Sequence, residues 1–431
     1  MAYLACLIYV AITYVRPGEI IPGWIGFPFL EIAAAFAGVA ALISLALNPR
    51  LFANLPNDWC FLAYGVAIVL SLPANGWLGG GYVALLSILP LIVFYLVIRL
   101  AVQTEAQLRW LGSVLVLLTL FQAGNGILQY HTGMGLGGST AHVRVQYDPE
   151  TGDEGEEVKR VRGTGIFGDP NDLAMSLIVV LPFLFSAVIS GQSGFLRRIL
   201  AVGAIGVLGY ALVLTQSRGG FVGFAALIAT YAYRRFGRVT AVVAGSLAVV
   251  VILAAGPSRF QQIDSSEASA QGRIQSWAAG LQMLKSQPIL GVGYGNFGDF
   301  NQITAHNSFV HSFAELGVIG GTCFVGMWYW FFVTTGAGRN VAGAATSRLA
   351  LDILASGVGV MVCAVFLSRQ YSPILYVPLA LAAARVTVTP GDDQQTSFQR
   401  PWDWGLLLLL SIGVVIGTYV LVLVLARWSG A

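Results

Sequence analysis

Long apolar runs separated by brief polar breaks set the pattern of this chain. Uncharged stretches of roughly 17 to 21 residues recur, among them Tyr82–Ile98, Val239–Ala255 and Leu406–Ala426. A helix of that length crosses a hydrocarbon core of ~30 Å, and inside lipid the helix satisfies its own backbone. The pattern predicts spans near 2–15, 25–48, 58–73, 81–101, 110–128, 171–190, 198–216, 219–233, 239–256, 309–335, 349–367, 372–388 and 404–427. The expected fold is an all-α polytopic membrane protein of about twelve transmembrane helices. The first run, Ala2–Val15, has no basic n-region and is followed by Arg16-Pro17-Gly18, so it reads as a retained span and not a cleaved leader. With no internal repeat and no low-complexity linker, residues 1–431 are expected to form a single transmembrane domain.

Composition agrees with lipid as the main solvent: 56% of the 431 residues are hydrophobic and 10% charged, against about 25% charged in soluble domains. A net charge of +3 without a basic stripe or an aromatic RNA-binding motif argues against nucleic acid as a partner. Cys6, Cys60, Cys323 and Cys363 sit in or beside apolar runs with no C-x-x-C pair, which reads as packing.

Lys and Arg are retained on the cytoplasmic side of short loops. Arg197–Arg198 and the run Arg234-Arg235-Phe236-Gly237-Arg238 anchor that side, and Arg50, Arg109, Arg339 and Arg348 agree; Arg16 does not. Alternation then places two long hydrophilic segments on the extracytoplasmic face, a first loop at 130–170 and a large loop at 257–308. These loops or their ends hold every histidine, together with Arg160, Arg162, Arg259 and Arg273, so the working face is expected outside the cytoplasm. In the large loop Ile274, Trp277, Leu281 and Leu284 recur every three or four residues, predicting an amphipathic helix against the membrane surface. The acidic stretch Asp148–Glu157 reads as a solvated hairpin or a flexible segment.

The richest segment for chemistry runs from His306-Asn307 to Gly317-Val318-Ile319-Gly320. An imidazole where a polar loop enters an apolar helix reaches both water and a membrane-bound substrate, as a general base must; equally, it can simply anchor the helix end. Arg218 stands between two apolar spans with almost no loop around it, facing either a cavity with an anionic partner or the headgroups. Arg273 opens the amphipathic helix, where a guanidinium and free amides together suit a phosphate. Lys159-Arg160-Val161-Arg162 leads through turn formers to Asn171; Arg160 reads as a membrane-surface anchor ahead of a substrate contact, Arg162 equally as either, and Arg162 and Asn171 join the candidate substrate contacts. Tyr294, Asn307 and His311 are further possible contacts.

Two patterns are set aside. Gly293–Gly298 fits G-x-G-x-x-G literally but lacks the strand, helix and acidic residue of a nucleotide fingerprint. His306 and His311, five apart, would diverge by roughly 140° on a helix, and no Cys or H-E-x-x-H accompanies them, so no metal and no cofactor is expected. Asp264, Glu267 and Asp299 share no element and do not form a hydrolase-like pair, whereas Glu315, nine residues beyond His306 in an apolar run, is a candidate buried carboxylate.

His306-Asn307, nine residues, then Gly317-x-x-Gly320 resembles the H-[NSQ]-x9-G-x-x-G pattern of the O-antigen ligase family, within the group that includes O-antigen polymerases and protein-glycosylating ligases. Arg218 after a span, Arg273 in the large loop and the Gly291-Val292-Gly293-Tyr294 turn follow in the family's order, and the likeness covers most of residues 160–335. The resemblance implies a GT-C-like helical glycosyltransferase of the bacterial cytoplasmic (inner) membrane, multi-pass, with its active site facing the periplasm. It implies metal-independent, inverting transfer from an undecaprenyl-diphosphate-linked glycan to lipid A-core in lipopolysaccharide biosynthesis. His306 would be the catalytic base, and Arg218 and Arg273 would bind the donor diphosphate; Arg162 joins that diphosphate site, and Asn171 the substrate contacts, on their own setting in the chain and not on the resemblance. An O-antigen polymerase or a protein O-glycosylation ligase would use the same donor. A transporter of lipid-linked sugars would also need arginines facing phosphate, but related halves and broken helices at the midplane, which transporters usually show, are not evident.

Overall fold

The computed structural model of the protein describes residues 1–51, 55–147, 154–191, 194–255, 268–337, 344–388 and 403–428. Arg259, Asp264, Glu267, Arg339 and the 148–153 part of the acidic stretch lie outside the described residues.

The long helices are α1 (Ala2–Val15), α2 (Phe29–Leu47), α3 (Pro56–Ala74), α4 (Gly80–Ala101), α5 (Glu105–Thr132), α6 (Pro170–Ile189), α7 (Phe195–Thr215), α8 (Arg218–Phe236), α9 (Arg238–Ala255), α10 (Ala268–Ser286), α11 (Ser308–Ala337), α12 (Ala344–Phe366), α13 (Pro373–Val388) and α14 (Trp404–Trp428). Each predicted apolar run overlaps one of them, with bounds that differ by a few residues at most. Among the described residues, nine helices are long and apolar enough to cross a membrane. The count falls short of twelve for identifiable reasons. α1 has 14 residues, about 21 Å at 1.5 Å per residue; α8 carries Arg218, Arg234 and Arg235; and the apolar pieces Arg238–Ala248 and Pro373–Val388 are short. The protein is a multi-pass helical membrane protein.

Lipid as solvent is also visible in how the helices face. On α2 the small residues Ala33, Ala37 and Ala41, one turn apart, are buried, while Ile32, Phe36, Val39, Leu42 and Ile43 are exposed. In water each such side chain would forgo roughly 2 kcal/mol, and five together would match the 5–15 kcal/mol stability of a whole domain. α14 repeats the arrangement: Leu407 and Ser411 point inward and Leu408, Leu409, Ile412 and Ile416 outward.

The departure from all-helical structure among the described residues is an antiparallel hairpin, β1 (His142–Tyr147) with β2 (Glu154–Arg160), pairing His142 with Arg160 and Val143 with Lys159. The hairpin reading of the acidic stretch corresponds to β2.

Where one transmembrane domain was expected, the chain divides into two compact units: Met1–Ser44, Ala101–Gln261 and Ala344–Val360 form one, and Leu45–Leu100, Gln262–Gly343 and Met361–Ala431 the other. Three of the crossings fall inside α2, α4 and α12, so no linker composition marks them. Within the first unit α6 packs on α5, α7 and α8, and α8 on α9. Asp352 of α12, buried there, accepts hydrogen bonds from Ser186 Oγ (2.8 Å) and the Tyr231 hydroxyl. Within the second unit α11 packs on α3, α10, α13 and α14, and a fully buried pair, Arg99 Nε to Asp58 Oδ2 at 3.0 Å, with the Tyr95 hydroxyl donating to Asp58 Oδ1 at 2.7 Å, ties α4 to α3.

Candidate functional site

In the second unit the structure is built around the head of α11. Asn307 is its N-cap: Oδ1 accepts the amides of Phe309 (2.9 Å) and Val310 (3.2 Å), two of the donors every helix start leaves open. His306, just outside the cap, has a left-handed backbone, φ 48°. A non-glycine residue rarely takes that conformation, and it persists where the surroundings impose it. The surroundings here are specific. On α10, Trp277 Nε1 donates to the Ala305 carbonyl at 2.7 Å, and Ser276 Oγ donates to the Ile303 carbonyl at 3.2 Å. On the other side Ser308 Oγ donates to the Leu367 carbonyl at 2.6 Å. His306 is half-buried between these two fixed points.

α10 itself is not an isolated surface helix. Gly272, Ser276, Gly280, Met283 and Leu284 are buried, and a methyl group on Gly280 would stand 2.7 Å from Val310. Ile274 and Leu281 are half-buried. The stripe read as membrane-facing thus belongs to a helix docked on α11 and α14, whose small residues let the axes approach closely. Arg273 lies on α10 one turn before Trp277, and side chains four apart share a helix face. Arg273 and His306 are therefore attached to the same short piece of structure.

α11 is interrupted at Gly317, φ 62° and ψ −161°. The carbonyls of Ala314 and Glu315 accept the amides of Val292 (3.0 Å) and Gly293 (2.9 Å), while the amides of Val318 and Ile319 donate to the carbonyls of Pro288 (2.8 Å) and Ile289 (3.3 Å). Four groups that would have bonded within the helix bond to residues 288–293 instead, so the break leaves none of them unsatisfied. The contact is too close for side chains: a Cβ on Gly317 would lie 2.4 Å from the Ile289 carbonyl carbon, and one on Gly291 2.3 Å from that of Glu315. The nine-residue spacing from His306-Asn307 to Gly317 and the Gly291-Val292-Gly293 turn are thus two sides of one joint.

The break brings Glu315 into contact with the preceding loop. Its carboxylate, 1% exposed, accepts the Phe297 amide and His311 Nε2 on Oε1, each at 3.0 Å, and the Tyr371 hydroxyl on Oε2 at 2.7 Å. His311, expected as a substrate contact, is 7% exposed, with its ring against Phe297 at 4.6 Å between centroids; it braces this network. Tyr294 packs edge-on against Tyr371 at 4.7 Å. Burial, then the nearby Glu315 charge, pushes both phenols above the usual tyrosine range, so they remain hydrogen-bond donors.

In the first unit a separate polar cluster surrounds Arg218. Asp169 caps α6 and Ser217 caps α8, each side chain accepting a first-turn amide. Asn171 links the two helix starts: its Oδ1 accepts Ser217 Oγ at 2.8 Å and Arg160 Nη2 at 3.1 Å, while Arg160 Nε donates to the Thr215 carbonyl at 3.0 Å. Arg160 is thus part of this corner and not a surface anchor; its position at the end of β2, opposite His142, sets it there, and no sequence spacing signals the pairing. Arg218 is the first residue of α8, so the starts of α6 and α8 meet in this corner, which carries the basic residues Arg160 and Arg218 together with the acidic residues Asp169 and Asp172. Arg162 is directed elsewhere, its Nε donating to the Thr140 carbonyl at 2.8 Å and its Nη1 to that of Gly168 at 3.4 Å. Among the described residues no three of His, Cys, Asp and Glu gather in a manner suited to a metal ion.

The fold and these clusters define a polytopic helical membrane protein with an arginine-bearing polar corner in one unit and a histidine-bearing joint in the other. Residues 199–325 match the family model described as O-Antigen ligase. Arg218, Arg273, Tyr294, His306, Asn307 and His311 lie inside the matched segment, and Arg160, Arg162 and Asn171 before it. No curated protein matches the chain.

Proposed function

We propose that the protein is an O-antigen ligase, a membrane glycosyltransferase that moves a glycan from undecaprenyl diphosphate to lipid A-core at the periplasmic face of the bacterial inner membrane. The observation that carries this reading is the mounting of His306, held in a left-handed conformation between the Trp277–Ala305 and Ser308–Leu367 hydrogen bonds at the head of the matched motif. A base whose backbone is fixed on both sides stays at one distance from a bound hydroxyl, which is what proton removal requires.

In this reading His306 takes the proton from the acceptor hydroxyl as that oxygen attacks the anomeric carbon and the bond to the diphosphate breaks. Arg218 and Arg273 bind the diphosphate, whose negative charge grows as it leaves, and supply charge stabilisation without a metal. Asn171 acts behind Arg218 through Arg160 and Ser217, and Arg162 through the Thr140 and Gly168 carbonyls it holds. Tyr294 and Asn307 shape the joint on which the base stands.

The test uses purified full-length protein in detergent with undecaprenyl-diphosphate glycan, lipid A-core and a chelator, read by the gel shift of the lipopolysaccharide. A shifted band that vanishes in His306→Ala supports the reading. Chain growth on the donor alone would make the protein a polymerase, and neither product would favour a transporter of lipid-linked sugars.

A further inference from the structure

The link between α7 and α8 is two residues long, Gln216-Ser217, and most of its polar groups are engaged. The Gln216 amide donates to the Val213 carbonyl at 3.1 Å and closes α7, and the Ser217 amide donates to Thr215 Oγ1 at 3.3 Å. Ser217 Oγ accepts the Gly220 amide at 3.1 Å and donates to Asn171 Oδ1 at 2.8 Å, while the Ser217 carbonyl accepts the Phe221 amide at 3.0 Å. The Gln216 side chain is the exception. Its oxygen Oε1 is buried and accepts no hydrogen bond among the described residues. Gln216 also has a left-handed backbone, φ 49° and ψ 33°. A helix end that needs only this turn takes glycine, as α5 does at Gly133, φ 84°. A glutamine there adds the strain of its Cβ and the cost of a buried acceptor left unpaired. No hydrogen bond of that oxygen offsets either cost, and a glycine would carry neither.

We propose that Gln216 is a specificity residue for the donor, its side-chain carbonyl accepting a hydroxyl or amide N–H of the sugar bonded to the diphosphate. The inference rests on the ligase reading above, which gives Arg218 to that diphosphate. Gln216 precedes Arg218 by two residues, so their Cα atoms are at most about 7.6 Å apart. The oxygens of an ionised diphosphate only accept hydrogen bonds, and a polyprenyl chain has no polar hydrogen. The part of a lipid-diphosphate glycan able to donate to Oε1 is therefore its first sugar. No hydrogen bond holds Oε1 where it lies, and Gln216 is half-buried, so the amide turns to a ligand without breaking one. An acceptor kept for a substrate hydroxyl also discriminates against a lipid that lacks it, because the acceptor then stays unpaired.

The test compares binding of two lipids to full-length protein in detergent, undecaprenyl-diphosphate glycan and undecaprenyl diphosphate without sugar, and adds thermal unfolding. Wild type is expected to bind the glycan-bearing lipid more tightly than the bare one. Gln216→Ala should weaken the first about tenfold, or ~1.4 kcal/mol, and leave the second within about twofold. Gln216→Gly should lose the same sugar-dependent affinity at an unfolding temperature no lower than that of wild type, since glycine takes the left-handed turn without strain; a folding defect of the alanine variant then does not decide the result. Gln216→Asn, which keeps the amide on a shorter stem, should recover part of the loss. Equal weakening of both lipids, no preference of wild type for the glycan, or a lower unfolding temperature in Gln216→Gly would overturn the assignment. Sugar-dependent binding that Gln216→Gly abolishes, in a protein that transfers nothing to lipid A-core, removes the ligase reading alone. Transfer by wild type with a Gln216→Gly variant that binds the glycan as tightly removes the Gln216 role alone.

Discussion

The Arg218 corner and the His306 joint are both polar clusters at helix starts, yet they are held by different means. In the corner, side chains do the linking: Asn171 takes hydrogen bonds from Ser217 and Arg160, and Asp169 and Ser217 cap their own helices. In the joint the main links are between backbones, through the exchange of bonds between residues 288–293 and the break at Gly317. A side-chain cluster loosens one bond at a time under mutation. A backbone joint either closes or does not, because its atoms leave no room for adjustment.

That contrast can be tested in descending order of effect. His306→Ala is expected to lower kcat by about 10²–10⁴-fold, the usual contribution of a general base, with thermal unfolding unchanged. His311→Ala should do the reverse, lowering the unfolding temperature by removing the partner of a buried carboxylate while the remaining folded protein keeps substantial activity. Equal losses of rate in both would remove His306 as the base. Gly317→Ala tests the joint as a whole. A Cβ placed 2.4 Å from the Ile289 carbonyl carbon on a left-handed backbone should cost about 3 kcal/mol or more, visible as loss of monodisperse protein in detergent; a variant as stable as wild type would mean that the joint opens without harm.

In the corner, Asn171→Ala should cost about 1–3 kcal/mol of stability, because it leaves Arg160 and Ser217 without their shared acceptor, read as a lower unfolding temperature, and should raise the donor KM as the corner loosens. Arg162→Ala, whose guanidinium holds two carbonyls, should change the donor KM less than Arg160→Ala does, and the reverse order would return Arg162 to the front of the diphosphate site. The smallest effect concerns alkaline pH. Tyr371 stays protonated in the folded protein beyond the ordinary phenol range of about 10. The unfolded chain therefore ionises first, and stability should fall as pH rises above about 10. Tyr371→Phe should flatten that fall, and an unaltered alkaline limb would trace it to other groups.

Much of this arrangement was legible in the sequence. The apolar runs placed the helices because lipid demands long uncharged stretches, and the H-N-x9-G-x-x-G spacing marked the joint. Its purpose was not visible, because a glycine within an apolar run reads as a small residue until the partner backbone at 288–293 is known. The α10 stripe gave the helix correctly, but periodicity records only that a face is apolar, not whether lipid or protein covers it; Gly272, Ser276 and Gly280 decided for protein. Arg160 was misread as an anchor because its partners, Asn171 and Thr215, are 11 and 55 residues away. The division into two units carries no composition signal, because the chain passes between them inside α2, α4 and α12.

The order in which the joint's parts occur along the chain bears on how the protein is made. Residues 288–293 precede α11, so every bond across the Gly317 break has its partner already synthesised when residue 319 emerges. The Ser308 and Glu315 side chains, by contrast, must wait 56 to 61 residues, for Tyr371, Leu367 and Arg369. The joint is thus able to close during insertion into the membrane, whereas the base acquires its last fixed neighbour only after α12 has been threaded, so a chain stalled before that point carries the whole matched motif with an unfinished mounting for His306.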